Sequence, residues 1–209
     1  DQNWQKGRET YLALKQLGST YMQFIPIVER HAQTQSVTDF SVPSEGYGQF
    51  LVDVFHEWYE HDVGKIYVSQ FDNLLGQWLG YPSTTCVHQP TCGQSLITEA
   101  NGDVYTCDHF VYPEYKVGNL TQQPLTEIVF SSKQQQFGLE KSQKLTTLCR
   151  HCEFRKLCYG GCPKHRFVSL ENEPNPHNYL CASYRYFFEQ TAPYMQAMAR
   201  QIRLHPSAA

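Results

Sequence analysis

Eight cysteines constrain this chain of 209 residues more than any other feature: all lie after residue 85, in the order Cys86-x5-Cys92-x14-Cys107, Cys149-x2-Cys152-x5-Cys158-x3-Cys162 and finally Cys181. Eight thiolates make two complete four-sulfur sites, and soft tetrahedral sulfur sets select iron-sulfur clusters or zinc. Whatever the chain folds into must gather these side chains from distant stretches.

The alternative use of eight cysteines is four disulfides, which could pair in 105 ways. Disulfides belong to oxidising compartments, and the start Asp1-Gln-Asn-Trp-Gln-Lys6 has no charged segment leading into an apolar one. No stretch approaches the roughly 18 apolar residues of a membrane span. The expectation is therefore a cytoplasmic protein with reduced, metal-binding thiols. A net charge of -3 and a pI near 6.3 give no basic excess for phosphate backbones or anionic lipid, so neither nucleic acid nor membrane is expected as a partner.

Ahead of the cysteines the pattern is α/β. Apolar spacing predicts a helix from an Asn3 cap to Leu17, closed by Gly18. Tyr21 to Glu29 reads as a strand with Pro26 at an end or edge. A polar loop leads to a second helix opened by Ser44 and running through Phe50, Phe55 and Trp58 towards Gly64, then a strand over 65–70 and a short helix with Leu74 and Trp78. The Gly80-Tyr81-Pro82 stop marks a domain boundary, giving domains 1–80 and 81–209 and a mixed α+β class. Beyond it, two alternating runs flank Asn101-Gly102, a strong hairpin signal that brings Cys92 and Cys107 to one end of a ribbon. A helix is expected over 124–133, and a terminal helical pair over 182–204 interrupted at Pro193.

A Cys-x2-Cys pair converges on one metal, so Cys149 and Cys152 share a site, with Cys158 close enough to join. Cys162 precedes Pro163, as in bacterial ferredoxin runs whose last cysteine serves the other cluster. By that analogy Cys162 completes Cys86, Cys92 and Cys107 (cluster I), and Cys181 completes Cys149, Cys152 and Cys158 (cluster II). Gly160-Gly161 would let backbone approach inorganic material closely. Spacing alone leaves iron-sulfur and zinc both open, the latter as a colourless structural or interaction module.

The same order and spacing, together with Gly102-Asp-Val-Tyr-Thr-Cys107-Asp108, Tyr115-Lys-Val-Gly-Asn-Leu120 and Cys158-Tyr-Gly-Gly-Cys162-Pro-Lys164, resembles the SPASM domain of radical S-adenosylmethionine enzymes, and most closely that of the anaerobic sulfatase-maturating enzymes. The resemblance implies that residues 1–80 are terminal β/α units of a partial TIM barrel and that 81–209 bind two auxiliary [4Fe-4S] clusters, with zinc an alternative in protein made in air. It also implies a parent that oxidises a Cys or Ser of an unfolded sulfatase peptide to Cα-formylglycine, with electrons supplied by a flavodoxin-like donor. S-adenosylmethionine and a third [4Fe-4S] cluster need a Cys-x3-Cys-x2-Cys loop, which this sequence lacks. The expectation is a C-terminal portion, inactive by itself.

Asp108 matches the aspartate that takes the substrate's side-chain proton in that family, a role open to any carboxylate within hydrogen-bond reach. Burial beside a negative cluster is expected to raise its pKa. His109 and Tyr112 are candidates to line the peptide groove. His88, His151 and His165 lie near cysteines without ligand spacing and are surplus to two filled sites. Other peptide-modifying SPASM enzymes, which form thioether or carbon-carbon crosslinks, are the alternative within the class.

Overall fold

The computed structural model describes residues 3–93 and 95–205. The chain divides into two compact units, Asp1–Ser83 with Tyr179–Ala209, and Thr84–Asn178.

The first unit holds α1 (Gly7–Gln16), β1 (Tyr21–Met22), α2 (Gly46–His61), β2 (Tyr67–Val68), α3 (Ser69–Leu79) and the C-terminal helix Cys181–Leu204. β1 and β2 pair in parallel, Tyr21 opposite Tyr67, and α2 lies in the crossover that a parallel pair requires. α2 is apolar on most of its surface because it packs against both α1 and the C-terminal helix. Its Phe55 ring meets Phe71 at 5.3 Å, Trp58 at 5.8 Å and Phe187 at 6.5 Å. Full burial of each such side chain contributes about 1.5–3 kcal/mol. Polar groups within this core are paired: Trp58 Nε1 donates to the Ile66 carbonyl at 2.7 Å, and buried Asp62 accepts from Tyr11 Oη at 2.8 Å and Lys15 Nζ at 2.6 Å.

Several elements differ from expectation. α1 starts at Gly7 behind Lys6, which gives no side-chain cap, rather than at Asn3. The strand expected over 21–29 is only two residues long, because β2 offers two residues to pair with and Pro26 has no N–H to give. Further along, Ile27 O and Glu29 N turn instead to Val42 N and Ser41 Oγ. The terminal helix is continuous through Pro193. Pro193 and Glu189, whose carbonyl loses its usual donor, are both on the exposed face, while Phe187, Phe188, Thr191 and Met195 stay buried. Residues 179–205, expected with the cysteine-rich domain, group with the first unit. The division after Ser83 falls close to the stop at Gly80-Tyr81-Pro82.

The second unit has a different construction. β3 (Ile97–Thr98), β4 (Asp103–Tyr105) and β5 (Lys116–Asn119) form an antiparallel sheet in that order. The β3–β4 turn carries Asn101-Gly102, with Asn101 Oδ1 accepting from Asp103 N at 3.0 Å and Gly102 at φ +83°. β5 was not anticipated. Then come α4 (Leu125–Val129), α5 (Ser132–Gln143), α6 (Thr147–His151) and α7 (Arg155–Cys158), and the pair β6 (Arg166–Val168) and β7 (His177–Asn178). The single helix expected over 124–133 is two, because Ser131 caps a new start by accepting from Gln134 N. Among the described residues, no helix is long and apolar enough to cross a membrane.

Candidate metal centre

None of the eight cysteines is joined in a disulfide; Cys86 is exposed and the rest are half-buried. Cys86 opens a short 3-10 turn after α3, Cys107 follows β4, and Cys162 precedes the 3-10 turn Pro163–His165. The fold brings these stretches together. Cys92 and Cys162 both lie within electrostatic reach of Cys86 and of each other, and Cys107 within reach of Cys162. Burial pushes the Cys92 thiol up, Cys162 to about 11 and Cys107 to about 12, with a hydrogen bond to Asp108 adding to the last. Metal binding at this group must therefore displace protons.

Cys149 lies in α6, Cys152 ends it, and Cys158 ends α7. Thr146 caps α6 through Cys149 N and hydrogen-bonds buried His177 Nδ1 at 2.9 Å, and His177 Nδ1 lies 3.8 Å from Cys149 Sγ. Cys181 is the first residue of the C-terminal helix and belongs to the first unit.

The backbone around the sulfurs is tightly held. Cys92 N donates to the Gly138 carbonyl of α5 at 3.1 Å, and a Cβ on Gly138 would lie 2.6 Å from Cys92 O. Tyr159, Gly160 and Gly161 all have positive φ, and a Cβ on Gly160 would meet Arg166 Nη2 at 2.7 Å. Asn178 Nδ2 bridges the carbonyls of Gly160 and Cys162 at 3.0 and 3.2 Å.

Two cations lie among the thiols. Lys141, 1% exposed, donates to the carbonyls of Cys86 and Val87 at 2.5 and 3.0 Å and faces Cys92, Cys162 and Cys86. Arg166 donates to the carbonyls of Lys141, Tyr159 and Gly160 at 2.6, 2.8 and 3.1 Å and faces Cys149, Cys92, Cys158 and Cys162. Burial pushes the pKa of each down, and the neighbouring sulfurs pull it back up. Soft thiol donors, buried positive charge and glycine backbone suit an anionic, sulfur-ligated metal group. Neither cation was singled out from the sequence, where Lys141 sits in a polar run.

Asp108 is exposed beside the first group, its Oδ1 3.0 Å from Cys107 Sγ and 3.1 Å from His109 N. Contrary to the expected rise, its pKa is lowered, chiefly by the Cys107 hydrogen bond. A thiol can donate where a ligated thiolate cannot, which is why an argument from cluster charge gave the other sign. His109 Nδ1 lies 3.4 Å from Cys162 Sγ. Tyr112 accepts a hydrogen bond from Lys164 Nζ at 3.1 Å, and that ammonium also sits over its ring. Burial pushes His88 and His165 down to about 4, so both are neutral near pH 7, and His151 is exposed with Nδ1 on the Thr147 carbonyl.

Residues 86–153 match the SPASM family, described as an iron-sulfur cluster-binding domain. The chain is also similar to anaerobic sulfatase-maturating enzymes. It is 41% identical over 207 residues to the serine-type enzyme of Bacteroides thetaiotaomicron, covering 92% of this chain and 50% of that protein. It is 30% identical over 195 residues to the cysteine-type enzyme of Clostridium perfringens, covering 92% of this chain and 52% of that protein. The solved structure of native anSMEcpe with bound AdoMet and the Cp18Cys peptide superposes with a TM-score of 0.83 at 28% identity, over 96% of this chain and 56% of that one. The chain spans about half the length of the curated relatives it matches.

Proposed function

We propose that this chain is the cluster-bearing, substrate-facing part of a radical S-adenosylmethionine enzyme that oxidises a Cys or Ser of an unfolded sulfatase peptide to Cα-formylglycine. Cys86, Cys92, Cys107 and Cys162 would hold one [4Fe-4S] cluster, and Cys149, Cys152, Cys158 and Cys181 a second. The parallel β1–β2 pair with its α2 crossover supports reading residues 1–80 as terminal units of a partial barrel. S-adenosylmethionine and a third cluster would be held by residues outside these 209, and a flavodoxin-like donor would supply electrons to the whole.

The observation that carries the reading is an exposed carboxylate at the edge of a sulfur group, Asp108 Oδ1 at 3.0 Å from Cys107 Sγ. Converting a serine CH2–OH to an aldehyde removes one hydrogen atom from Cβ, one proton from oxygen and one electron. A cysteine reaches the same aldehyde when its thioaldehyde is hydrolysed with loss of hydrogen sulfide. Asp108 takes the proton, and its open position lets a peptide side chain come within hydrogen-bond distance. Bound clusters supply one-electron acceptors. His109 and Tyr112, in the same exposed loop, would flank the peptide.

The test is Asp108→Asn in the full-length protein under anaerobic conditions, with formylglycine measured by peptide mass spectrometry. The expected loss is about 10²–10⁴-fold, with iron and sulfide unchanged. Wild-type yield from the variant contradicts the role of Asp108. A colourless anaerobic protein holding zinc instead of iron contradicts the cluster assignment.

A further inference from the structure

We propose that Lys141 and Arg166 set the charge balance of the two sulfur groups: Lys141 acts on the group of Cys86, Cys92 and Cys162 alone, whereas Arg166 acts on both groups at once. This rests on the two-cluster reading above.

A lysine that is 1% exposed in the last turn of α5 is costly unless something compensates its charge. Among the described residues, neither Lys141 nor Arg166 forms an ion pair with a carboxylate. What faces them is sulfur. Their hydrogen bonds to main-chain carbonyls anchor them: Lys141 holds the Cys86–Val87 turn, and Arg166 spans Tyr159–Gly161 and the carbonyl of Lys141 itself. Arg166 is therefore tied to the loop between Cys158 and Cys162, the stretch that links the two groups in sequence, and interacts electrostatically with Cys92 and Cys162 as well as with Cys149 and Cys158.

Four thiolates around an oxidised [4Fe-4S] core carry a net charge of about 2−, and taking up one electron makes it about 3−. A nearby fixed cation stabilises the more negative state more strongly, so it raises the reduction potential. Lys141 then favours an electron on the group nearer the exposed Asp108, while Arg166 raises both groups together. The electron in such a test comes from dithionite or a mediated electrode.

The experiment is an EPR-monitored redox titration of the full-length, anaerobically reconstituted protein, with iron and sulfide counted first. Lys141→Met is expected to lower the reduced-to-oxidised ratio of one cluster about tenfold at a fixed poise, equivalent to about 59 mV for a one-electron couple, and to leave the other unmoved. Lys141→Arg should restore it. Arg166→Gln should shift both clusters the same way, and Arg166→Lys should hold both near wild type. If Lys141→Met loses iron while Lys141→Arg keeps it, charge compensation is upheld by metal content. Full iron with unmoved potentials in Lys141→Met, or equal iron loss in Lys141→Met and Lys141→Arg, overturns the proposal. Wild-type protein without two clusters overturns the reading beneath it instead.

Discussion

The two compact units are about equally dense in secondary structure but are held by different physics. Among the described residues, 22 buried apolar side chains lie in the first unit, where Phe55, Trp58, Phe71 and Phe187 form one aromatic cluster, and only Val104, Ile128, Leu145 and Phe154 lie in the second. The second instead buries Lys141, Gln134, Thr146, His165, His177 and Asn178, groups that stabilise only when their partners are present. A domain of 95 residues cannot rest on four apolar side chains. On the two-cluster reading proposed above, ligation would supply the missing cohesion, as in small metal-bound domains where binding free energy is folding free energy. The first unit is built around an apolar core; the second is built around its cysteines and buried polar groups.

The sharpest break of this contrast comes from Cys149→Ala with Cys152→Ala. Loss of the Cys-x2-Cys pair should abolish metal at that group and unfold the second unit, read as lost near-ultraviolet and visible circular dichroism. Tryptophan emission should stay native, because all three tryptophans, Trp4, Trp58 and Trp78, lie in the first unit. Next in size, Trp58→Ala should cost the first unit about 3–5 kcal/mol, measured by urea unfolding, with iron content unchanged.

A smaller effect sharpens the electrostatic side. Burial pushes Asp62 up, but the Lys15 and Tyr11 hydrogen bonds outweigh it and hold its carboxyl below the ordinary 3.8. A carboxylate with a depressed folded-state pKa stabilises fully above its unfolded value, and that contribution is lost as pH falls through the lower folded value. The first unit should therefore lose stability on acidification below about pH 4, and Asp62→Asn should be less stable at neutral pH with a flatter acid limb. The smallest expected change is Thr146→Ala, about 1 kcal/mol for the lost α6 cap, confined to exchange rates around Cys149.

The sequence made some of this legible because the deciding interactions were local. Asn101-Gly102 specified its turn within four residues, and α2 was evident from its apolar run. What was missed depends on tertiary closure. A strand from Lys116 to Asn119 exists because β4 offers it an edge. Pro193 fails to break the last helix because Thr191 and Met195 are buried on its other side, and the same burial draws that helix into the first unit. Lys141 and Arg166 have unremarkable sequence surroundings, and their meaning comes only from the thiols folded around them.

The most direct test of the contrast is hydrogen–deuterium exchange by mass spectrometry on the anaerobic, iron-loaded protein before and after the metal is stripped by an oxidant and chelator. Protection should vanish across Thr84–Asn178 and persist over Gly46–His61 and the buried face of Cys181–Leu204. Equal protection of Thr84–Asn178 with and without metal would contradict the account.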